Sequence, residues 1–348
     1  MDEFYKKYAS AIVYDFLKLQ QGDALSVNSE EADFEFARFV ANEAIKVTHS
    51  QVKVILTENG KPVDVAEFEP DGMPVKPEGF AMLRIRDDRK KSEPEEKTLD
   101  VIVEPDNFAA LQKLGHLAEP VLLNRRISVP FCVAPLFDEE SEGFRMLSAK
   151  IENGLGDKIL AADYRKNFLN HSDIDRLHFT GAGIDFTVEV PHGTVFTGGT
   201  SFLPSGRSFV SGPDFDILRC STDRHSLNGV LTVQAVVMGK KQSLTLEYEN
   251  GKLVEHSESV QFERYRLLGD GAAEAGYLSL GDRCFSLHLG GSLLEFLVSQ
   301  PENEVNIPEF FNTSPYTLEC ELDTKLNITC SGCDGKEHEL VRKGFFLD

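Results

Sequence analysis

Residues able to do chemistry are spread through the second half of the chain, and few stand in a diagnostic pattern. Asp214 and Asp216 are separated by one residue. On a strand that spacing puts both carboxylates on one side, where they could share a cation. On an acidic chain it equally describes two solvated side chains. Cys330 and Cys333 form a Cys-x-x-Cys pair, with Cys320 and His338 available as further donors. Such a pair can be a redox couple or half of a zinc site. Here it falls where a hairpin turn is expected, not at a helix start that would stabilise a thiolate, so ordinary turn residues explain it. His178 and Asp185 read either as support for a bound substrate or as a strand histidine hydrogen-bonded within a core. Gly198-Gly199 lacks the following Lys-Ser/Thr of a phosphate cradle and reads as a bend. Ser201 and Ser205 lie among glycines and a proline, without the nucleophile-elbow pattern of a serine hydrolase.

The composition bounds what these residues can serve. The 348 residues suffice for two domains, and the formal charge of −21 repels phosphate backbones and anionic lipid alike. Nucleic acid and membrane are therefore disfavoured as partners. The opening MDEFYKKYASAIVYDF carries charges every few residues and lacks the apolar core of a secretory signal. No apolar run approaches bilayer-spanning length. With six scattered cysteines, the expectation is a cytoplasmic protein with reduced thiols.

The elements that position these residues change along the chain. Residues 8–20 read as an amphipathic helix ending near Gly22, 24–27 as a short strand, 29–47 as a second helix opening at Ser29, and 52–56 as a strand. Residues 60–98, broken by prolines and the charged run RDDRKKSEPEEK, read as irregular. A strand at 99–104, a helix at 108–114 and a buried strand at 127–134 complete an open α/β half. From His178 onward, short alternating segments broken by glycine predict a strand-rich α+β half, with a hairpin turning at Asn250-Gly251 and a short helix at 262–268. The fold class is α/β plus α+β, with domains at 1–165 and 166–348.

Several segments in order resemble the thermophilic-type dinuclear metalloaminopeptidases. YASAIVYDFLKLQQGDALSV is similar to that family's opening helix, Gln-x-Gly turn and first strand. LDVIVEPDNFAALQKL and ISVPFCVAP resemble later pieces of its first domain. The most specific stretch is LHFTGAGIDFTVEVPHGTVFTGG, residues 177–199, continuing through SGPDFDILRCSTDRHSLNGVLTV. The resemblance implies the thermophilic aminopeptidase fold, a homodimer, peptide substrates, and a pair of divalent cations (zinc, cobalt or manganese) in the C-terminal domain. The family's ligands are two Glu, two His and one Asp, with a Tyr assisting.

Carried over by the resemblance, the first Glu position falls on Asp216, one methylene shorter. The second falls on Tyr277, a phenol that is a poor ligand at neutral pH. The run LLEFLVSQPENEVNI places Phe296 at the assisting Tyr and Ile307 at the first His. The closing His-x-Asp pair falls on Thr317 and Glu319. Asp216 and Glu319 thus remain as candidate metal ligands, and donors are lost at Tyr277, Ile307 and Thr317. Asp214, His288, Glu295, Glu304 and Glu321 are the nearest side chains from which another site could form. The resemblance therefore implies a divergent, inactive or weakened aminopeptidase, metal-bound if active and otherwise without cofactor. The alternative is a non-catalytic binding or assembly partner of a related peptidase.

Overall fold

The computed structural model describes residues 2–30, 33–58, 61–71, 79–87, 125–131, 142–152, 154–192, 194–202, 206–210, 212–291, 309–312, 314, 316–332 and 336–347. The expected strand at 99–104, the helix at 108–114, and Ser205, Glu295, Phe296, Glu304, Ile307 and Cys333 lie outside them. The described residues divide into two compact units. The first draws on Met1–Lys90, Leu122–Asp163 and Gly198–Asp216, the second on Tyr164–Thr197 and Ile217–Asp348.

In the first unit, β1 (Asp23–Glu30), β2 (Val52–Glu58), β3 (Lys61–Phe68), β4 (Gly79–Asp87) and β5 (Arg125–Phe131) form a sheet of order β3-β2-β1-β4-β5. All neighbours are parallel except β2 and β3. Helix α1 (Asp2–Ser10) runs into a π-helical turn over Ala11–Phe16. Helix α2 (Phe34–Thr48) presents Phe36, Ala37, Val40, Ala41 and Ala44 at helical spacing to a core shared with Leu25, Val27, Val52 and Val54. Tyr8 stacks on Phe36 with ring centroids 5.3 Å apart. Helix α2 closes on His49, which takes the left-handed conformation (φ 50°) and donates its N–H to Ile45 O.

Two expectations are corrected here. Ser29 does not open the helix: it belongs to β1, in register with Leu56, and Asp33 occupies the N-cap position. Pairing between strands outweighs a local capping preference. Residues 61–68 and 79–87, expected to be irregular, are strands. Pro62 lies on β3, an edge strand, the place in a sheet where proline is tolerated, and the β2–β3 pairing shifts register beside it, between Leu56 and Thr57.

Helix α3 (Glu142–Glu152) and helix α4 (Leu155–His171) follow. The second unit is built on β6 (Ile174–Gly181), β7 (Ile184–Glu189), β10 (Leu218–Ser221), β11 (Asn228–Val237), β12 (Lys240–Glu249), β13 (Lys252–His256), β14 (Ala275–Gly281), β15 (Cys284–Gly290), β16 (Thr317–Glu321), β17 (Asn327–Gly332), β18 (Glu337–Arg342) and β19 (Phe345–Phe346). The short strands β8 (Thr200–Phe202) and β9 (Ser208–Val210) pair separately, in the first unit. Along the large sheet the order is β10-β14-β15-β16-β11-β7-β6-β17-β18-β19, with β12 and β13 branching from β11. Every pairing in it is antiparallel. The β12–β13 hairpin turns at Asn250 (φ 50°) and Gly251 (φ 76°), the positive pair a tight hairpin requires. A Cβ on Gly251 would also fall 2.3 Å from the Cα of His225. Helix α5 (Val260–Arg266) is capped by Ser259, whose Oγ accepts from Phe262 N. Mixed α/β architecture with a strand-rich second half is as the sequence predicts.

Candidate functional site

On β10, β14, β15 and β16 the sequence alternates strictly. Leu218 and Cys220, Leu278 and Leu280, Phe285, Leu287 and Leu289, and Leu318 and Cys320 turn to the apolar core of the second unit. The residues between them make a polar face. Register lines up Ser221, Tyr277, His288 and Glu319 in one row across the four strands, and Arg219, Ser279, Ser286 and Glu321 in the next. Cross-strand partners lie within side-chain reach.

This polar face is largely closed off from solvent. Tyr277, Ser279, Ser286 and His288 are all less than a tenth exposed. Buried polar groups are for the most part hydrogen-bonded, and two bonds cross between strands here. Ser279 Oγ lies 3.1 Å from His288 Nε2, and Ser286 Oγ donates to Glu319 Oε1 at 3.0 Å. The His288 ring stacks on Tyr277. Glu321, at the exposed edge, faces Lys241 Nζ at 3.8 Å. Beneath the face, the Cys320 thiol is pushed far above its ordinary range by burial and secondarily by the charge of Glu319.

The sheet thus gathers three positions to which the family resemblance pointed, Tyr277, Thr317 and Glu319, around His288. Thr317 sits opposite Gly290 at the end of β16. Asp216 belongs to the first unit. It lies not on a strand but in the turn Pro213–Asp216, closed by Phe215 N donating to Gly212 O, so the expected alternation of Asp214 and Asp216 on a strand is replaced by a turn that Pro213 opens. Its Oδ1 accepts from Lys150 Nζ at 2.7 Å.

The remaining expectations resolve locally. His178 Nε2 lies 2.8 Å from Asp185 Oδ1 on the outer surface of β6 and β7, with His178 41% and Asp185 80% exposed, so this pair is bonded but not in a core. Gly198 (φ 128°) and Gly199 (φ 55°) make a bend, with Gly199 N donating to Phe215 O. Cys330 is buried on β17, and burial raises its thiol. Among the described residues, no three His, Cys, Asp or Glu side chains form a group able to hold a metal ion. Ser279, Ser286 and Lys150 escape the sequence reading. The first two carry a signal in GYLSLGDRCFSLHLGG, where a polar residue stands at every second position on both sides of a turn.

An open, mainly parallel α/β unit joined to a large curled antiparallel sheet with one polar face defines the class. The thermophilic metalloprotease family (M29) matches residues 158–278, the stretch from α4 to the middle of β14. Over that stretch the chain is similar to the family that the sequence resembles. The particular likeness is to wild-type AmpT from Thermus thermophilus, at a TM-score of 0.71 and 17% identity over 100% of both chains. That likeness is one of fold. A comparison with curated proteins gives no match.

Proposed function

We propose that this chain is an M29-type protein in which the peptide-hydrolysing metal centre has been dismantled, leaving aminopeptidase activity weak or lost. In the family, divalent cations supply Lewis acidity and a hydroxide from bound water. The observation that supports loss of that chemistry is the polar row on β14–β16. Where the resemblance implies a carboxylate and an imidazole, the strands carry Tyr277 and Thr317. The phenol of Tyr277 is turned into a stack with His288, and the carboxylate of Glu319 already accepts from Ser286. One carboxylate beside one imidazole is too small a donor set for a cation pair. The described residues therefore do not fit the metal centre. Asp216 and Glu319 are the two positions at which acidity persists. Peptides with a free amino terminus remain the substrate class for any residual hydrolysis, and a cytoplasmic homodimer is the assembly we propose.

The test is elemental analysis of protein purified with added Zn²⁺, Co²⁺ or Mn²⁺, beside an assay on aminoacyl-nitroanilides. We expect substoichiometric metal and no chelator-sensitive turnover. Two tightly held cations per chain together with chelator-sensitive turnover overturn the reading.

A further inference from the structure

We infer that Lys150 is a resident cation, holding at Asp216 the positive charge that a divalent metal ion would otherwise bring. The inference rests on the reading that the metal centre is gone, and deepens it by naming what replaced one part of it.

Lys150 stands in the last turn of α3, and its target is the turn Pro213–Asp216. Its Nζ donates to Asp216 Oδ1 at 2.7 Å and to the carbonyl of Pro213 at 3.0 Å, and lies 5.8 Å from the centre of the Phe215 ring. One ammonium therefore engages a carboxylate, a carbonyl and an aromatic face on three of four successive residues. The lysine side chain is 18% exposed and the aspartate 33%. Exposed ion pairs contribute little, but this one is half-buried and shared among several acceptors. The Asp216 carboxylate keeps a third of its side chain in solvent, and the better-buried ammonium neutralises the oxygen turned toward α3. The two oxygens that Lys150 satisfies, carboxylate and backbone carbonyl, are of the type that hard divalent cations take. An ammonium cannot polarise a substrate carbonyl or acidify water as a metal ion does, so the exchange keeps the turn neutralised and gives up the chemistry.

The test removes the charge and keeps the apolar stem. In K150M the thermal midpoint falls by roughly 2–4 °C. Millimolar Mn²⁺ or Ca²⁺ then restores it, with Mn²⁺ uptake read as loss of the free-ion electron paramagnetic resonance signal. Adding D216N to K150M abolishes that recovery, while the wild type and K150R show neither effect. If K150M does not fold, K150Q carries the same measurement, since it keeps a donor for the Pro213 carbonyl. A charge-removed variant whose midpoint ignores both cations overturns the assignment, as does a wild type that gains the same increment through Asp216. Two tight metals with turnover in the wild type would instead sink the functional reading. A metal-free wild type with an unresponsive K150M sinks the role of Lys150 alone.

Discussion

His288 lies flat against Tyr277, with ring centroids 3.9 Å apart and planes 10° from parallel. The two rings are cross-strand partners on β15 and β14, and both are buried. The contact gives a polar face a rigid aromatic centre. Truncation by Y277A is expected to cost about 3–4 kcal/mol, because a large buried ring leaves a cavity. In a double-mutant cycle with H288A, the coupling is expected at about 1 kcal/mol. The chain has no tryptophan, so urea unfolding followed by far-ultraviolet circular dichroism is the measurement. Coupling near zero would show that the rings are neighbours without mutual stabilisation.

Two residues beyond His288, Gly290 ends β15 at φ 88°, and a Cβ there would fall 2.0 Å from the carbonyl oxygen of Tyr316. Neither the backbone nor that oxygen can yield cheaply. G290A is expected to destabilise the second unit by about 2 kcal/mol or more. Denaturant midpoints compared with those of an exposed Gly-to-Ala control, such as G156A in α4, check this.

Acid should loosen α5. Arg266 Nε donates to Glu263 Oε2 at 2.6 Å, and His256 Nε2 lies 2.7 Å from the other oxygen. The hydrogen bond from Arg266 is the main reason the Glu263 carboxyl titrates below its ordinary 4.5, with the charges of Arg266 and His256 adding to it. A carboxylate whose folded value is depressed stabilises the fold above its unfolded value, and that contribution is lost as pH falls through the folded one. E263Q should therefore be less stable than wild type near neutrality, and the gap should close as pH drops below 4.5. Parallel thermal melts across that range test the sign.

Thiol labelling gives an independent check on the sheet. Burial raises the Cys220 and Cys320 thiols far above their usual range, whereas Cys284, at the start of β15, is exposed. Iodoacetamide at mildly alkaline pH is expected to modify Cys284 and to spare Cys220 and Cys320 until the protein is unfolded. Peptide mass mapping reads the three sites. Rapid native labelling of Cys320 would mean that the polar face and the core beneath it are open to solvent.

The sequence made some of this plain and hid the rest for physical reasons. Alternation marked the strands of the second unit because one face is apolar throughout, as Leu278, Leu280, Leu287 and Leu289 show. Helix α2 was readable from Phe36, Val40 and Ala44, yet its start was misplaced, because Ser29 is drawn into the ladder of β1. Strand β3 was hidden by Pro62, which reads as irregular backbone until an edge position makes it tolerable, and β4, an inner strand without proline, was hidden by the prolines and charged run that flank it. At the site, the identities at Tyr277, Thr317 and Glu319 were visible, but the row that sets Tyr277 and Glu319 on either side of His288 depends on register across separate strands. Lys150 and Asp216 are 66 residues apart with no shared local pattern, so only the folded chain brings them together.

The proline and the register shift on β3 have a consequence for the protein in crowded solution. An open sheet margin offers its free amides and carbonyls to any passing strand, and that is how ordered aggregates begin. On β3 one of those donors is missing at Pro62, the ribbon is kinked where Thr57 and Pro62 meet, and Lys61, Asp64 and Glu67 put charge along its length. A second chain arriving there finds an interrupted template. Exchanging Pro62 for valine would give the rim a continuous row and open a route to fibrils.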